Sequence, residues 1–400
     1  MRSSDILVAS REQALAFRID SHHLAVRLPP GSLLVAAGTC GIQDSPPGSA
    51  AIALHARVSG LTPAAIEQAT TADRSLVRAW CLRAAPCIFP ASDAAVFTAG
   101  LLPDDEAATR FFILGSNRAL DMLGMSAGEL IDMTAAETCD LLDGRTMTKD
   151  RLGIEIADTL AKRLTVSQRT IWQSDSFIAP GQSLGESLVR FALYVLPLRG
   201  LICFASRQGN TAYLTRIDQW LGTPLPVANA AKARAELVVR YLHCYGPSTD
   251  EHFSRWAGIS PAQASRAWAL IEDGLIDVDI DGKETWLLPG DLPRFRSPRP
   301  AAGVRFLPPH EPLLQMRDRE TLIPDKSLHR KLWRSVGNPG ILLADGKAVA
   351  AWRSRKSGKR MDLTIEQFST IPQEMRPDIE AEAATLAPFS GCVSVRVEYK

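Results

Sequence analysis

The sequence predicts an α+β protein in which helical units come first and a β-rich unit comes last. Through residue 292, apolar residues recur at helical spacing, and each such region is followed by a pair of short β-type runs. After Ala301 the pattern changes to short β runs separated by glycine turns, of which Asp345-Gly346 is the clearest. We therefore expect tandem winged-helix (helix-turn-helix) domains followed by a small, barrel-like β domain.

The clearest helical unit spans residues 234–292. Apolar residues at helical spacing predict a helix over 235–245, which Gly246-Pro247 ends. Thr249 is an N-cap signal for a second helix, and Ser260-Pro261 combines an N-cap with a first-turn proline for a third. Three short helices joined by tight turns are typical of a helix-turn-helix.

A predicted β-hairpin over 275–288 follows these helices, in the position of the wing of a winged helix. A winged helix often places the second helix of its turn against the DNA major groove, but the same fold also serves as a protein-binding platform. The corresponding helix here, predicted over 261–273, carries one cation, Arg266, beside Glu272 and Asp273. Both roles, DNA contact and scaffold, therefore stay open for this unit.

Proline-containing linkers at 224–230 and 293–300 divide the chain. We expect a first winged-helix domain, a second winged-helix-like domain, a third winged-helix domain and a basic β-rich domain, over residues 1–103, 104–223, 230–292 and 301–400 respectively. No heptad or apolar strip indicates self-association, so we expect a monomer.

The charge of the chain is concentrated in one segment. Residues 291–360 contain sixteen Lys or Arg against six Asp or Glu and carry a formal +10, whereas the whole chain carries +1. Such a segment is typical of phosphate binding. The alternatives are a solvated basic face and pairing with the acidic helical region.

The seven cysteines are scattered, at Cys40, Cys81, Cys87, Cys139, Cys203, Cys244 and Cys392. Without C-x-x-C spacing they indicate reduced core residues. No apolar segment approaches the roughly 20 residues that a membrane span needs, so we expect a cytoplasmic protein. Phosphate-binding glycine loops and metal motifs are absent from the sequence, and we interpret His22-His23 as a surface pair, so no metal or cofactor is expected.

The polar triplet Gln43-Asp44-Ser45 stands in a connector between two apolar helices, and Pro46-Pro47 follows it. In an extended connector, Gln43 and Ser45 point to one side and Asp44 to the other. Two uses of the triplet stay open. It is a candidate catalytic site, or Asp44 or Ser45 is an ordinary N-cap of the next helix.

Three stretches together resemble the winged-helix DNA glycosylases of the AlkZ and YcaQ kind. These are Gly41 to Ala50 with the helix through Arg57, the winged-helix unit, and Val304 to Arg353, with its Pro308-Pro309-His310-Glu311, Trp333-Arg334 and Asp345-Gly346 motifs. With the spacing between them they cover most of the chain. The resemblance implies tandem winged helices, a C-terminal β-barrel and double-stranded DNA as the partner.

In that family a Gln-x-Gln or Gln-x-Asp pair is thought to place the water that attacks the sugar when an alkylated purine leaves. Gln43 matches the first position, and Ser45 stands where the second Gln or Asp is expected. The short, neutral serine hydroxyl would do less than a carboxylate, unless Asp44 turns inward to substitute. The resemblance therefore implies either a repair glycosylase for N7-alkylated purines or a non-catalytic DNA-binding protein, such as a regulator or a lesion-binding protein.

The basic segment supplies the expected DNA contacts. These are Arg317, Arg319, Arg330, Lys331, Arg334, Arg353, Arg355 and Lys356, and we expect them to bind the duplex backbone without sequence preference and in a salt-dependent manner. His310 and Glu311 occupy a place where the family often has an aromatic residue and an acid. They are candidates for lining the lesion site, with an ordinary turn as the alternative.

Overall fold

The computed structural model describes residues 6–207, 209 and 211–400. Helices dominate the chain before residue 300, and strands dominate after it. The coarse prediction of a mixed fold with its β-rich part last is therefore confirmed. Over the described residues, no helix is both long and apolar enough to cross a bilayer.

The N-terminal region consists of β1 (Leu7–Ala9), α1 (Arg11–Ser21), α2 (Leu33–Gly38), β2 (Ile42–Gln43), α3 (Ser49–His55), α4 (Pro63–Glu67), β3 (Leu76–Trp80), β4 (Pro86–Pro90) and α5 (Ala94–Phe97). The Ser10 side chain caps α1 by accepting a hydrogen bond from the backbone N–H of Gln13. Strands β2, β4 and β3 form an antiparallel sheet in that order, with Gln43 opposite Cys87. The predicted hairpin in this region is thereby extended by the strand that carries Gln43.

The middle region consists of α6 (Glu106–Phe112), α7 (Asn117–Leu123), α8 (Ala127–Leu141), α9 (Lys149–Ala161), α10 (Val166–Trp172), α11 (Leu184–Ala192), β5 (Ile202–Phe204), β6 (Leu214–Arg216) and α12 (Ile217–Leu221). Helices α6 and α7 are separated by a single 3₁₀ turn that contains Gly115. A Cβ there would lie 2.6 Å from the Phe191 ring, so close packing against α11 requires glycine. Helices α10 and α11, capped by Thr165 and Ser183, were not predicted.

The next region consists of α13 (Ala230–Tyr245), α14 (Asp250–Ala257), α15 (Pro261–Trp268), β7 (Ile276–Ile280), β8 (Lys283–Leu287) and α16 (Leu292–Arg296). Thr249 and Ser260 both accept the predicted capping hydrogen bonds. Helix α15 ends at Trp268, five residues before the predicted Asp273. The β7–β8 hairpin is present, and β1 joins it in parallel beside β7, a pairing that no local signal indicated.

The C-terminal region consists of β9 (Val304–Leu307), α17 (His329–Leu332), β10 (Gly340–Ala344), β11 (Lys347–Ser357), β12 (Arg360–Gln367), α18 (Arg376–Ala384) and β13 (Ser394–Tyr399). Its sheet has the order β13-β12-β11-β10-β9, and its two edge strands are not paired with each other within the described residues. The predicted barrel is therefore not closed. Ile379 and Ala383 of α18 pack into the core of this sheet, so a helix covers the space that strand closure would have filled.

The main apolar core joins residues from all four predicted domains, since it also includes Leu198, Cys203 and Ile217 of the middle region. It contains Phe89 and Phe97 from the N-terminal region, Tyr241 and Trp256 from α13 and α14, and Leu313 from the chain after β9. This shared core fixes the N-terminal sheet against the helix-turn-helix unit. The division into four domains, and the assignment of the first two as winged helices, stay predictions.

Candidate functional site

The polar triplet Gln43-Asp44-Ser45 begins in β2 and continues into the turn before α3. Gly41 (φ +70°) and Gly48 (φ +90°) bracket it. A Cβ at Gly41 would lie 3.1 Å from the Phe97 ring, so the chain enters β2 through a position that favours glycine in both conformation and space. The two glycines allow the short strand β2 to be followed, after a tight turn, by helix α3.

Asp44 faces away from Gln43 and is buried, with 4% of its surface exposed. One carboxylate oxygen accepts hydrogen bonds from the backbone N–H groups of Gly48 (2.8 Å) and Ala50 (3.4 Å). The other lies 3.4 Å from the Arg78 guanidinium and 3.8 Å from that of Arg207. Asp44 thus anchors the turn that leads into α3, although the N-cap residue of α3 is Gly48 rather than Asp44 or Ser45, and both carboxylate oxygens of Asp44 are engaged.

Gln43 faces the helix-turn-helix unit. Its Oε1 accepts a hydrogen bond of 3.1 Å from Arg83, which stands in the β3–β4 turn with a left-handed backbone (φ +55°), as does Ala84 (φ +54°). Arg83 also donates to the backbone carbonyl of Trp256, at the end of α14. Gly258 lies against this turn, since a Cβ there would be 2.7 Å from Arg83 Cα. Arg83 therefore connects Gln43 to α14.

Ser45 is half-buried, and the residues that follow it line a cavity of about 460 Å³. Pro46 to Ser49 form one wall, and Pro309, Pro339 and Arg353 contribute to the opposite side. This volume is in the range of small-molecule sites, roughly 300–1,000 Å³. The cavity places the exposed cation of Arg353 near the triplet.

His310 and Glu311 have different environments. His310 is half-buried with a left-handed backbone (φ +59°), and burial together with the nearby charge of Arg83 lowers its pKa. Glu311 is 1% exposed, pairs with the fully buried Arg57 and accepts a hydrogen bond of 2.6 Å from the N–H of Leu313. His310 thus lies near the Gln43 side of the site, whereas Glu311 belongs to the core and has no open surface from which to contact a lesion.

The eight basic residues predicted to bind DNA fall into two groups. Arg317 and Arg319 are half-buried; burial lowers the pKa of Arg317 to about 10, and Arg319 stacks over the Trp333 ring. The others are exposed, namely Arg330, Lys331, Arg334, Arg353, Arg355 and Lys356. None of the eight is ion-paired with a carboxylate in the part of the chain that the structure describes. They are therefore not neutralised by the acidic helical region.

The polar side chains of helix α15, unlike these exposed cations, contact the segment before α6. The one cation of α15, Arg266, pairs with Asp104 and Asp105, at 3.0 and 2.9 Å. The buried Gln263 amide donates to the backbone carbonyls of Leu101 and Leu102. These contacts favour the scaffold role for the helix-turn-helix.

His22 is fully buried, so the interpretation of His22-His23 as a surface pair is wrong. Nitrogen and sulfur atoms of His22, Cys40 and Cys244 lie within 4.8 Å of one another. The Arg57 guanidinium is 3.4 Å from His22 Nδ1, which places a cation where a metal ion would be repelled. This group is best described as a buried cluster of polar and thiol side chains.

A family model described as "DNA glycosylase AlkZ-like" matches residues 36–389. The chain belongs to the AlkZ-like DNA glycosylase family. The "interstrand DNA cross-link repair glycosylase" of Streptomyces sahachiroi is 24% identical over 394 residues, covering 96% of this chain and 97% of the relative. The solved structure of Streptomyces sahachiroi DNA glycosylase AlkZ has the same fold, with a TM-score of 0.76, 21% identity and coverage of 98% and 100%.

Membership of the AlkZ-like family confirms the resemblance carried by the triplet, the helix-turn-helix and the basic segment, and it makes DNA the substrate. The predicted site residues did not include three arginines that contact the triplet, namely Arg83, Arg78 and Arg207. Arg83 lies between β3 and β4, one of the pairs of short β-type runs that the sequence predicts after each helical region, so a turn could have been anticipated there. Nothing in the local sequence indicates that the neighbour is Gln43.

Proposed function

We propose that this AlkZ-like protein hydrolyses the N-glycosidic bond of N7-alkylated purines in double-stranded DNA, acting as a monomer, with Gln43 positioning the water. An N7-alkylated purine is already a cationic leaving group. The enzyme then gains mainly from holding a water and from stabilising an oxocarbenium-like sugar. These tasks need an oriented polar side chain rather than a strong acid.

The observation that carries this proposal is the hydrogen bonding of Gln43. A glutamine carbonyl has two lone pairs and its amide nitrogen has two N–H donors. The bond from Arg83 occupies one lone pair of Oε1. The remaining lone pair and the N–H₂ group suit a water molecule, which can donate to Oε1 while it directs its own lone pair at the sugar.

Ser45 takes the second position of the family pair in this proposal. An extended backbone would direct its hydroxyl to the same side as Gln43, and in this proposal the hydroxyl is a further water ligand. Asp44 does not substitute for it, because its carboxylate is bound to the start of α3 and to two arginines. The chain therefore relies on two neutral side chains where the family has a Gln with a Gln or Asp.

The exposed basic residues support binding of a duplex backbone. Arg353 lines the cavity beside the triplet and also a second cavity of about 440 Å³ that contains Arg330, Lys331 and Arg334. Phosphates bound along this surface would lead the duplex towards Ser45. The Streptomyces sahachiroi relative is named for interstrand cross-link repair, and we extend that substrate class to this chain as a second possibility beside simple alkylpurines.

The experiment is release of free base under single-turnover conditions. One duplex carries a single N7-methylguanine and another carries an N7-linked interstrand cross-link. We expect the wild type to release base from at least one duplex and Gln43→Ala to lose at least 10-fold in rate while it retains duplex affinity. Equal rates for wild type and Gln43→Ala would contradict the role of Gln43.

A second candidate function, lesion binding without catalysis, is favoured by Ser45, which replaces a longer Gln or Asp. It predicts no base release from either duplex and tighter binding to damaged than to undamaged DNA. Ser45→Gln restores the family pair. If that variant alone releases base, the wild type is a binding protein that lost its second water ligand.

A further inference from the structure

We propose that Arg83 is a positioning residue for Gln43. Arg83 fixes the orientation of the Gln43 amide. Because Arg83 also contacts the end of α14, that orientation depends on how α14 packs against the β3–β4 turn. This inference rests on the proposed function, and it adds a residue outside the family's Gln-x-Gln pattern.

The hydrogen-bond chemistry determines which way the amide points. An arginine side chain has only donors, so the atom of Gln43 that faces it must be the carbonyl oxygen. The observed contact joins Arg83 to Oε1 at 3.1 Å. The N–H₂ group is thereby turned away from Arg83, and an amide flip would place two donors against each other.

The guanidinium of Arg83 is also held by a second contact. A second guanidinium nitrogen donates to the backbone carbonyl of Trp256. Because the guanidinium is planar and its donors form a rigid fork, two carbonyl acceptors define its position. Trp256 is 1% exposed and belongs to the main core, so this end of the contact does not move independently.

The turn that carries Arg83 is shaped for this contact. Arg83 and Ala84 are consecutive non-glycine residues with positive φ, a conformation that L-residues rarely adopt and that persists where surrounding structure enforces it. Gly258, at the end of α14, provides the room, since any side chain there would collide with the Arg83 backbone. The two segments therefore fit each other at the point where Arg83 reaches Gln43.

Direct binding of a DNA phosphate by Arg83 is the competing role. In the described structure, two of its guanidinium nitrogens are engaged with carbonyl oxygens and the side chain is half-buried. In β11, by contrast, Arg353 and Lys356 are exposed and donate only to loop carbonyls, and Arg355 donates no side-chain hydrogen bond within the described residues. These contacts favour positioning over phosphate binding.

The test is a double-mutant cycle on the single-turnover rate of base release, with Arg83→Ala, Gln43→Ala and the double variant. If Arg83 acts through Gln43, Arg83→Ala lowers the rate at least 10-fold with less than 3-fold change in duplex affinity. The double variant is then no slower than Gln43→Ala alone. Multiplicative losses together with an equal loss of affinity would overturn the proposal.

Arg83→Lys separates the two roles. Lysine retains the charge that a phosphate needs but lacks the planar fork that joins two carbonyls. We expect it to remain as slow as Arg83→Ala, whereas recovery of the rate at low salt would identify a phosphate contact. Arg74→Ala is the matched control. Arg74 also has positive φ (+52°) and donates to a tryptophan carbonyl, that of Trp220, but it does not contact the triplet.

A readout without catalysis distinguishes failure of this inference from failure of the proposed function. The same cycle is measured on the midpoint of denaturant unfolding. Wild-type protein that releases no base would remove the proposed function, while non-additive unfolding shifts for Arg83→Ala and Gln43→Ala would still support the contact. Additive shifts would overturn the inference.

Discussion

Gln43 and Asp44 are neighbours in the chain, yet they serve different parts of the molecule. The extended backbone sends Gln43 towards Arg83 and Asp44 towards the start of α3. The Asp44 carboxylate accepts backbone N–H bonds and lies beside two arginines, so it holds the turn before α3 in place. In this structure, therefore, Asp44 supports the loop and Gln43 faces the site.

Asp44→Asn is expected to lower the free energy of unfolding by about 1–3 kcal/mol, the usual cost of removing one partner from buried hydrogen bonds. The rate of base release per folded molecule should change little. Denaturant unfolding and single-turnover rates measured on the same sample check both statements. Unchanged stability with a large loss of rate would return Asp44 to a catalytic role.

Glu311 and Arg57 form an ion pair in which both side chains are fully buried. Glu311→Gln leaves the Arg57 charge without its counter-ion, and breaking such a pair typically costs about 3–5 kcal/mol. We expect that loss in denaturant unfolding. The double variant Arg57→Met with Glu311→Leu should recover part of it, because it removes both charges. A neutral result for Glu311→Gln alone would mean that water reaches Arg57.

At the scale of elements, the structure separates two parts that sequence analysis had treated as joint candidates for DNA contact. In helix α15, Arg266 forms ion pairs with Asp104 and Asp105. The buried Gln263 amide donates a hydrogen bond to the chain before α6. Strand β11 instead exposes Arg353, Arg355 and Lys356 in one hairpin. These environments make β11 and its neighbours, rather than α15, the elements that we propose for the electrostatic contact with DNA.

We expect Arg355→Ala and Lys356→Ala each to weaken duplex binding and to reduce the salt slope of log K by about 1, as for loss of one phosphate contact. Arg266→Ala should leave both quantities unchanged. A titration of labelled duplex at several salt concentrations decides the matter. A larger effect at Arg266 than at Arg355 would restore the helix-turn-helix as the DNA-binding element.

At the scale of the whole molecule, buried histidines make stability sensitive to acid. Burial, followed by the charge of Arg57, lowers the pKa of His22 well below its usual range and lowers that of His23 to about 4. The unfolded chain takes up protons near pH 6.5, where the folded chain does not. Stability is therefore present above pH 6.5 and is lost as the pH falls towards 4.

We expect the free energy of unfolding to decrease between pH 6.5 and pH 4 by up to about 1.4 kcal/mol per pH unit for each such histidine. Urea unfolding at several pH values measures this slope. His22→Gln should reduce the slope, since glutamine does not titrate. If the slope is the same in the variant, protonation of His22 does not contribute.

Sequence patterns alone predicted many of the helices and strands, the location of the basic segment and the family. Each depends on local information: capping residues such as Thr249 and Ser260, apolar spacing, glycine turns and short motifs. It also led to Gln43 as the residue of interest. These features depend on residues that are close together in the sequence, so they can be recognised without knowing how the chain packs.

Contacts between distant segments are defined by the folded chain and not by local patterns. The tertiary structure joined β1 to β7, left the C-terminal sheet open beneath α18, buried Glu311 against Arg57 and brought Arg83 to Gln43. Each of these contacts links segments that are far apart in the chain, and their partners are selected by the shape and burial of the assembled core. The spacing of residues along the chain does not specify such partners, which is why the contacts that surround Gln43 could not be predicted from the sequence.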